Sequence, residues 1–134
     1  MDRRAEDAFE LAARLERRRQ GESAQAAVLI REFALQATAK GIAPERLYAR
    51  GYTGTARYRT NVVGWYIKRD RSIGVSTDGL FYLLHAPGSL AARFKGVDLE
   101  PADPPLELGR GARDGESIAL TEALAIRLEA GNAY

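Results

Sequence analysis

Hydrophobic residues recur every three or four positions through the first forty residues of the chain, which is the spacing of an amphipathic helix. Gly21 interrupts this pattern, and Gly41 follows it with Ile42 placed to fold back onto the last turn. The pattern therefore predicts two N-terminal helices that separate at Gly21, and then a short helical turn over residues 44–47. The two apolar stripes are Ala5, Ala8, Phe9, Ala12 and Leu15, and then Ala26, Leu29, Ile30, Phe33 and Ala37.

The period changes between residues 62 and 85, which are rich in Val, Ile and aromatic side chains. Asp78-Gly79 lies between two such runs and is a strong hairpin signal. With residues 69–71 as the first loop and 78–79 as the second, Trp65 faces Val75 and Val75 faces Tyr82. The pattern predicts a three-stranded antiparallel meander with one apolar face made by Val63, Trp65, Ile67, Ile73, Val75, Thr77, Leu80, Tyr82 and Leu84.

The expected fold class is α+β. Two N-terminal helices pack on a small antiparallel β-meander of three to five strands, and a C-terminal helix capped by Ser117 or Thr121 follows. We expect a single domain over residues 1–134, with a helical part at 1–49, a β-sheet part at 58–108 and the C-terminal helix at 117–131. Residues 50–57 are interpreted as a loop, and residues 90–94 as either a fourth strand or a helical turn.

Composition excludes several classes of protein. The chain has 134 residues, of which 46% are hydrophobic and 28% are charged, so it is neither a disordered chain nor a fibre. It contains no Cys, and His85 is its single His. These counts exclude a disulfide scaffold, a thiolate metal site and a site with two imidazoles, and we expect no cofactor. The charged N-terminus and the short apolar runs predict a cytoplasmic protein that does not insert into membranes.

The net charge of +2 conceals an uneven distribution. Residues 1–71 carry fifteen basic and nine acidic side chains, whereas residues 72–134 carry five and nine. The segment 46–71 holds seven bases and a single acid, Asp70, and such a segment attracts nucleic acid, anionic metabolites or an acidic protein. The alternative is compositional: seventeen of the twenty basic residues are Arg and twenty-three residues are Ala, as expected from the codons of a high-GC bacterium.

A catalytic constellation has limited support in the sequence. The predicted register places Ser72 opposite His85 and Lys68 opposite Ser72, on the second face of the meander. Gly64 and Gly74 on that face leave room for a group to approach the backbone. However, no carboxylate is placed to orient the imidazole, and the Gly-x-Ser-x-Gly motif of a nucleophile elbow is missing. The favoured interpretation is that the C-terminal segment packs on Phe81 and Leu83 and covers this face, which leaves His85 as an ordinary residue at a strand end.

The functional hypothesis is a small, non-catalytic interaction or regulatory module with a basic surface rich in Arg and Tyr. A protein partner or self-association as a homodimer is expected, since Arg and Tyr are enriched at interfaces. One alternative is a nucleic-acid or polyanion-binding protein that uses residues 46–71, and another is a small enzyme that uses Ser72, His85 and Lys68. The candidate binding residues are Arg50, Arg57, Tyr58, Arg59, Tyr66, Lys68 and His85.

Overall fold

The computed structural model describes residues 2–53, 55–109 and 117–134. The chain forms a mixed α and β structure in which one long helix and a C-terminal helix pack on a five-stranded sheet. The elements, in chain order, are α1 (Arg3–Ala39), β1 (Glu45–Gly51), β2 (Arg57–Tyr66), β3 (Ile73–Ser76), β4 (Phe81–Leu83), β5 (His85–Ala86), α2 (Leu90–Lys95), β6 (Glu107–Leu108), β7 (Ile118–Ala119), α3 (Leu120–Ala130) and a 3₁₀ turn (Gly131–Ala133).

The N-terminal region is one continuous helix, so the predicted separation into two helices at Gly21 is wrong. Glycine inside a helix costs only about 1 kcal/mol relative to Ala, and good helix formers surround this one. An ion pair between Arg18 and Glu22, 3.6 Å apart, also spans the glycine. The predicted stop is confirmed: Gly41 has φ +72°, and the Ile42 N–H donates to the Ala37 carbonyl at 3.0 Å.

The main sheet is mixed, with strand order β4-β3-β2-β1-β5. Strands β1 to β4 pair in antiparallel fashion, but β5 pairs with β1 in parallel, so the sheet is not the pure meander that the sequence predicts. Residues 45–51, expected to form a helical turn and the start of a loop, are strand β1. The alternation of apolar and polar residues in β1 is weak in the sequence, because the small residues Ala49 and Gly51 occupy two of its three buried positions.

The sheet curls until its two edges meet. Strands β4 and β5 lie at opposite edges, yet only Leu84 separates them along the chain. The Leu84 N–H donates to the Ser72 carbonyl at 2.9 Å, and its carbonyl accepts from the Arg50 N–H at 2.9 Å. The curled sheet encloses a small apolar cluster formed by Leu47, Val62, Tyr66, Tyr82 and Leu84, with Leu99 packed against it.

The predicted register is right for one pair of strands and wrong for the next. Trp65 faces Val75 as expected, but Val75 faces Phe81 instead of Tyr82. The second turn has three residues instead of two: the Ser76 N–H donates to the Leu80 carbonyl, and Gly79 has φ +81°. A shift of one residue exchanges the two faces of a strand. Phe81 therefore joins the core beneath α1, whereas Tyr82 lies in the enclosed cluster.

The larger core lies between the helices and the sheet. Trp65 is fully buried there, meets Phe33 edge to face at 5.7 Å, and donates from Nε1 to the Ile42 carbonyl at 3.0 Å. The sequence expectation that the second apolar stripe covers the sheet is confirmed for Ile30 and Phe33. Helix α3 also packs into this core, through Leu120, Ala123 and Leu124.

Helix termini differ in how well the sequence predicts them. Residues 90–95 form helix α2, with Ser89 as its N-cap, so the helical alternative for that segment is the correct one. Helix α3 begins after Ala119, and neither Ser117 nor Thr121 caps it. Residue type favours a cap at either position, but β7 runs directly into the helix and leaves no room for one.

The N-terminal half of α1 extends beyond the core. The first fully buried residue of the helix is Ala26, and the preceding turns expose 72% of Phe9 and 56% of Leu15. We call residues 3–22 the arm. No helix among the described residues, α1 included, is long and apolar enough to cross a membrane.

Candidate functional site

Strands β1 and β2 present a row of exposed side chains on one side of the sheet. Tyr48 faces Arg59 and Arg50 faces Arg57 across the antiparallel ladder, and such opposed residues lie on the same side. Arg46, two residues before Tyr48, alternates onto that side as well, and all of these side chains are exposed. We call this surface the basic face: Arg46, Tyr48, Arg50, Arg57 and Arg59.

The backbone beneath the basic face is held by buried polar groups. The pairing of β1 and β2 is irregular between Arg46 and Tyr48. Buried Thr60 fills this irregularity, because its hydroxyl donates to the Leu47 carbonyl at 2.7 Å and accepts from the Val62 N–H at 3.0 Å. The Tyr48 N–H, which would otherwise lack a partner, donates to the phenol oxygen of Tyr66 at 2.9 Å. The irregular part of the backbone that carries the exposed arginines therefore has hydrogen-bond partners from Thr60 and Tyr66.

The arginines of the basic face lack ion-pair partners among the described residues, although Asp70 lies near Arg50 and Asp98 lines the groove beside Arg59. Among the described residues, the ion pairs involve other side chains, and none includes an arginine of this face. Arg46 donates to the Thr60 carbonyl at 2.9 Å and Arg50 to the Asp70 carbonyl at 2.8 Å, so both are positioned by main-chain oxygens. Asp103, an acid of the C-terminal half, pairs with Arg19 of α1 at 3.4 Å and not with an arginine of this face.

A shallow groove extends the basic face toward α2. The Val97 N–H donates to the Arg59 carbonyl at 2.8 Å, which adds a short segment beside β2. Gly96 permits this approach, since a Cβ there would lie 2.5 Å from the Arg59 carbonyl oxygen. The groove has a volume of about 390 Å³, and it brings Lys95 and the carboxylate of Asp98 to the same surface as Arg59.

The structure places three of the predicted binding residues together on the basic face: Arg50, Arg57 and Arg59. It does not place the two predicted tyrosines there, because Tyr58 and Tyr66 point to the other side of β2 and are 7% and 6% exposed. Tyr48 provides the aromatic ring of this face. Tyr48 and Arg46 lie within the predicted segment 46–71, but they are not among the candidate binding residues selected from it. In the sequence, Arg46, Tyr48 and Arg50 alternate with Leu47 and Ala49. This period of two, weak because Ala49 is small, is the signal that would have indicated a strand with these side chains on one face.

The predicted Ser72, His85 and Lys68 arrangement does not form. The Ser72 hydroxyl donates to the Asp70 carboxylate at 2.6 Å, and Lys68 lies 3.6 Å from the same carboxylate. His85 is exposed in β5 and pairs with Arg50, because the register is displaced by one residue and Leu84 lies beside Ser72. The geometry supplies no proton transfer between Ser72 and His85.

Asp70 organises the loop between β2 and β3. Burial alone would raise the pKa of Asp70, but hydrogen bonds from the Ser72 hydroxyl and N–H, with the charges of Lys68 and Arg50, outweigh it and lower that pKa. Asp70 is therefore a charged anchor for this loop.

Other kinds of chemistry find little support in the structure. Within residues 2–53, 55–109 and 117–134, no cluster of His, Asp and Glu could hold a metal ion. Most of the Gly-rich segment 109–115 lies outside the described residues. The basic face is thus the candidate site that the geometry supports best. Comparison with known proteins adds no further indication, since the chain matches no protein-family model, no curated protein and no solved structure.

Proposed function

We propose that this chain is a non-catalytic binding module that docks a polyanion on its basic face, with single-stranded nucleic acid as the favoured partner. One observation carries the proposal. Four arginines surround an exposed tyrosine on adjacent strands, and none of them pairs with an acid among the described residues.

The arrangement opposes folding stability, which favours a functional reason for it. Arg50 and Arg57 lie directly opposite each other, and like charges in that position destabilise a sheet. Surface charges placed only for solubility would normally alternate in sign. A partner with several negative charges would relieve the repulsion at Arg50 and Arg57, and its binding would release counterions.

Tyr48 favours nucleic acid over an acidic protein. Its ring is 43% exposed and lies between arginines on both its own strand and the neighbouring strand. Bases stack on exposed aromatic rings with little sequence preference, while Arg side chains contact the phosphates. An acidic protein segment would need the arginines but would gain less from the ring.

Charge reversal on β2 tests this proposal. We expect R57E/R59E to weaken binding of a labelled single-stranded oligonucleotide by about tenfold or more, measured by fluorescence anisotropy. The slope of log affinity against log salt should become shallower by about 0.7 for each phosphate that the variant no longer binds. R14E/R17E is the matched control, because it makes the same charge change at exposed positions of the arm. An equal weakening in both variants would contradict a specific role for the basic face.

Tyr48 variants in the same assay separate the two kinds of partner. Y48F keeps the ring and should bind the oligonucleotide like the wild type, whereas Y48A should bind more weakly. Binding of an acidic polypeptide without binding of the oligonucleotide would favour the protein partner instead.

The arm supports self-association as a second candidate function. Its apolar stripe lies on the same side of α1 as the buried residues further along the helix, but it projects past the core and remains exposed. The 3.6-residue period places Arg4, Asp7, Arg18 and Glu22 along one edge of this stripe. In an antiparallel pair of arms, Arg4 of one copy faces Glu22 of the other, and Asp7 faces Arg18. We therefore propose a second copy of this chain as the partner of the arm.

The oligomeric state tests the arm. We expect the wild type to form a dimer in sedimentation equilibrium, and F9S/L15S to shift it toward monomer, because the variant removes apolar side chains from between the arms. L90S/F94S on α2 is the control, since it removes two other exposed apolar side chains, which are 73% and 81% exposed. A monomeric wild type would contradict the proposal.

A further inference from the structure

A second group of basic side chains lies around the hairpin loop between β2 and β3. Residues 69–71 form this loop, and the Arg71 N–H donates to the Lys68 carbonyl at 3.0 Å. Arg71 has φ +62°, the sole positive φ of a non-glycine residue in the described part of the chain. A three-residue hairpin normally has Gly in this position, so Arg is retained there against a backbone preference.

The side chain of Arg71 is held in a definite place. Its guanidinium lies over the ring of Tyr66 at 5.4 Å from the centroid. The strained backbone therefore brings a cation to the end of β2, which a glycine at this position would not do. Strain retained at an exposed loop is a recognised mark of functional positions, and here it identifies the side chain to test.

A buried arginine lies beside this loop. Arg127 of α3 is 5% exposed, and it donates to the carbonyls of Tyr66 at 2.9 Å and Gly131 at 2.7 Å. Among the described residues it forms no ion pair, and burial lowers its pKa. The ring of Tyr134 covers its guanidinium at 4.3 Å. The nearby Glu45 and Tyr134 oppose the effect of burial on this pKa but do not outweigh it. Burial of a cation without an ion pair is costly, and an anion in contact with it would offset that cost.

These groups line one cavity of about 510 Å³, which we call the arginine cavity. Part of its wall is fixed by hydrogen bonds, because Asn132 accepts from the Ala43 N–H at 2.9 Å and donates to the Gly41 carbonyl at 3.3 Å. Glu45 contributes one carboxylate to the lining against three guanidinium groups, so an excess of positive charge remains. The polar and aromatic groups that define it are Tyr66, Arg69, Arg71, Arg127, Asn132 and Tyr134.

We infer that the arginine cavity is a binding site for the phosphate group of a small phosphorylated ligand. Planar guanidinium groups bind phosphate oxygens in pairs, and three of them line this space from two separate elements. The tyrosine rings supply apolar walls for the rest of such a ligand. The site shares no residue with the basic face, and the proposal does not depend on nucleic-acid binding there.

Arg71→Gly provides a test that separates binding from folding. Glycine accepts the positive φ without strain, so the variant should melt at the same temperature as the wild type or higher. The same change removes a guanidinium from the cavity, and we expect the affinity for inorganic phosphate to fall about tenfold, since that is the scale of a single charge-assisted hydrogen bond. The titration is followed by NMR, using the Nε–H signals of the arginines together with the backbone amides.

Two further variants control the interpretation. R71K keeps a positive charge but loses the paired donors, and we expect it to bind phosphate more weakly than the wild type and more tightly than R71G. R57E/R59E changes only the basic face and should leave the phosphate affinity unchanged. An R71G protein that binds phosphate as tightly as the wild type, or a wild type whose cavity signals do not move with phosphate, would overturn the assignment. Equal shifts with acetate would overturn it too, in favour of a carboxylate site.

Discussion

Replacing Gly64 with Ala should destabilise the protein by about 3 kcal/mol or more, which is large for the addition of one methyl group. Gly64 lies in β2 opposite Ser76 of β3. A Cβ on Gly64 would clash with the Val75 carbonyl oxygen and would lie 2.7 Å from the Ser76 Cα. Both are main-chain atoms, so no side-chain rotation relieves the clash, and the two strands would have to move apart.

Gly21 provides the control for this substitution. It lies inside α1, and apart from its chain neighbours and the backbone of its own helix, no atom of the described residues lies within 4 Å of the place where its Cβ would be. Gly21→Ala should therefore stabilise the protein by about 0.5–1 kcal/mol, because Ala loses less backbone entropy in a helix. Trp65 is the single Trp of the chain and is buried, so its fluorescence reports urea unfolding of both variants. Equal stabilities of the two variants would contradict the close approach at Gly64.

Gly64 and Gly74 have a structural role in the sheet. From the sequence, Gly64 and Gly74 suggest space for a ligand beside the sheet. In the structure this space is filled: β3 closes on Gly64, and a Cβ on Gly74 would lie 2.5 Å from a methyl group of Leu47. The glycines allow the sheet to curl tightly around its apolar cluster.

Replacing Leu84 with Ala should destabilise the protein by about 3 kcal/mol, because it leaves a cavity where the two edges of the sheet meet. Leu84 is fully buried and contributes to the enclosed cluster. Its neighbour Leu83 is 53% exposed, so Leu83→Ala should cost no more than about 0.5 kcal/mol. The two variants remove the same atoms from adjacent positions and differ only in burial.

Urea titrations of the two leucine variants measure this difference directly. A similar decrease in stability for both would mean that the sheet does not close at Leu84. Closure also matters for the basic face, because β5 pairs with the outer side of β1 and keeps it from being a free edge. We expect L84A, when still folded, to show weaker amide protection in β1.

Several features of this fold follow from the sequence alone because they depend on neighbouring residues. The apolar stripe around Ile30 requires only the helical period, and the stop at Gly41 requires only a residue that accepts positive φ. The pairing of Trp65 with Val75 follows from a three-residue loop and from keeping Lys68 out of the core. The cluster of bases in residues 46–71 is a property of the sequence itself.

Other features were decided only by packing between residues far apart in the chain. The one-residue shift before Phe81 is a small local difference, and packing of the whole sheet decided it. The parallel pairing of β5 with β1 has no local signal, because it joins segments more than thirty residues apart. The arginine cavity depends on the same long-range packing, because α3 brings Arg127 to the loop of Arg71. The basic face depends on a more local pairing that the interpretation of residues 50–57 as a loop missed, since Arg50 and Arg57 meet across the β1–β2 ladder.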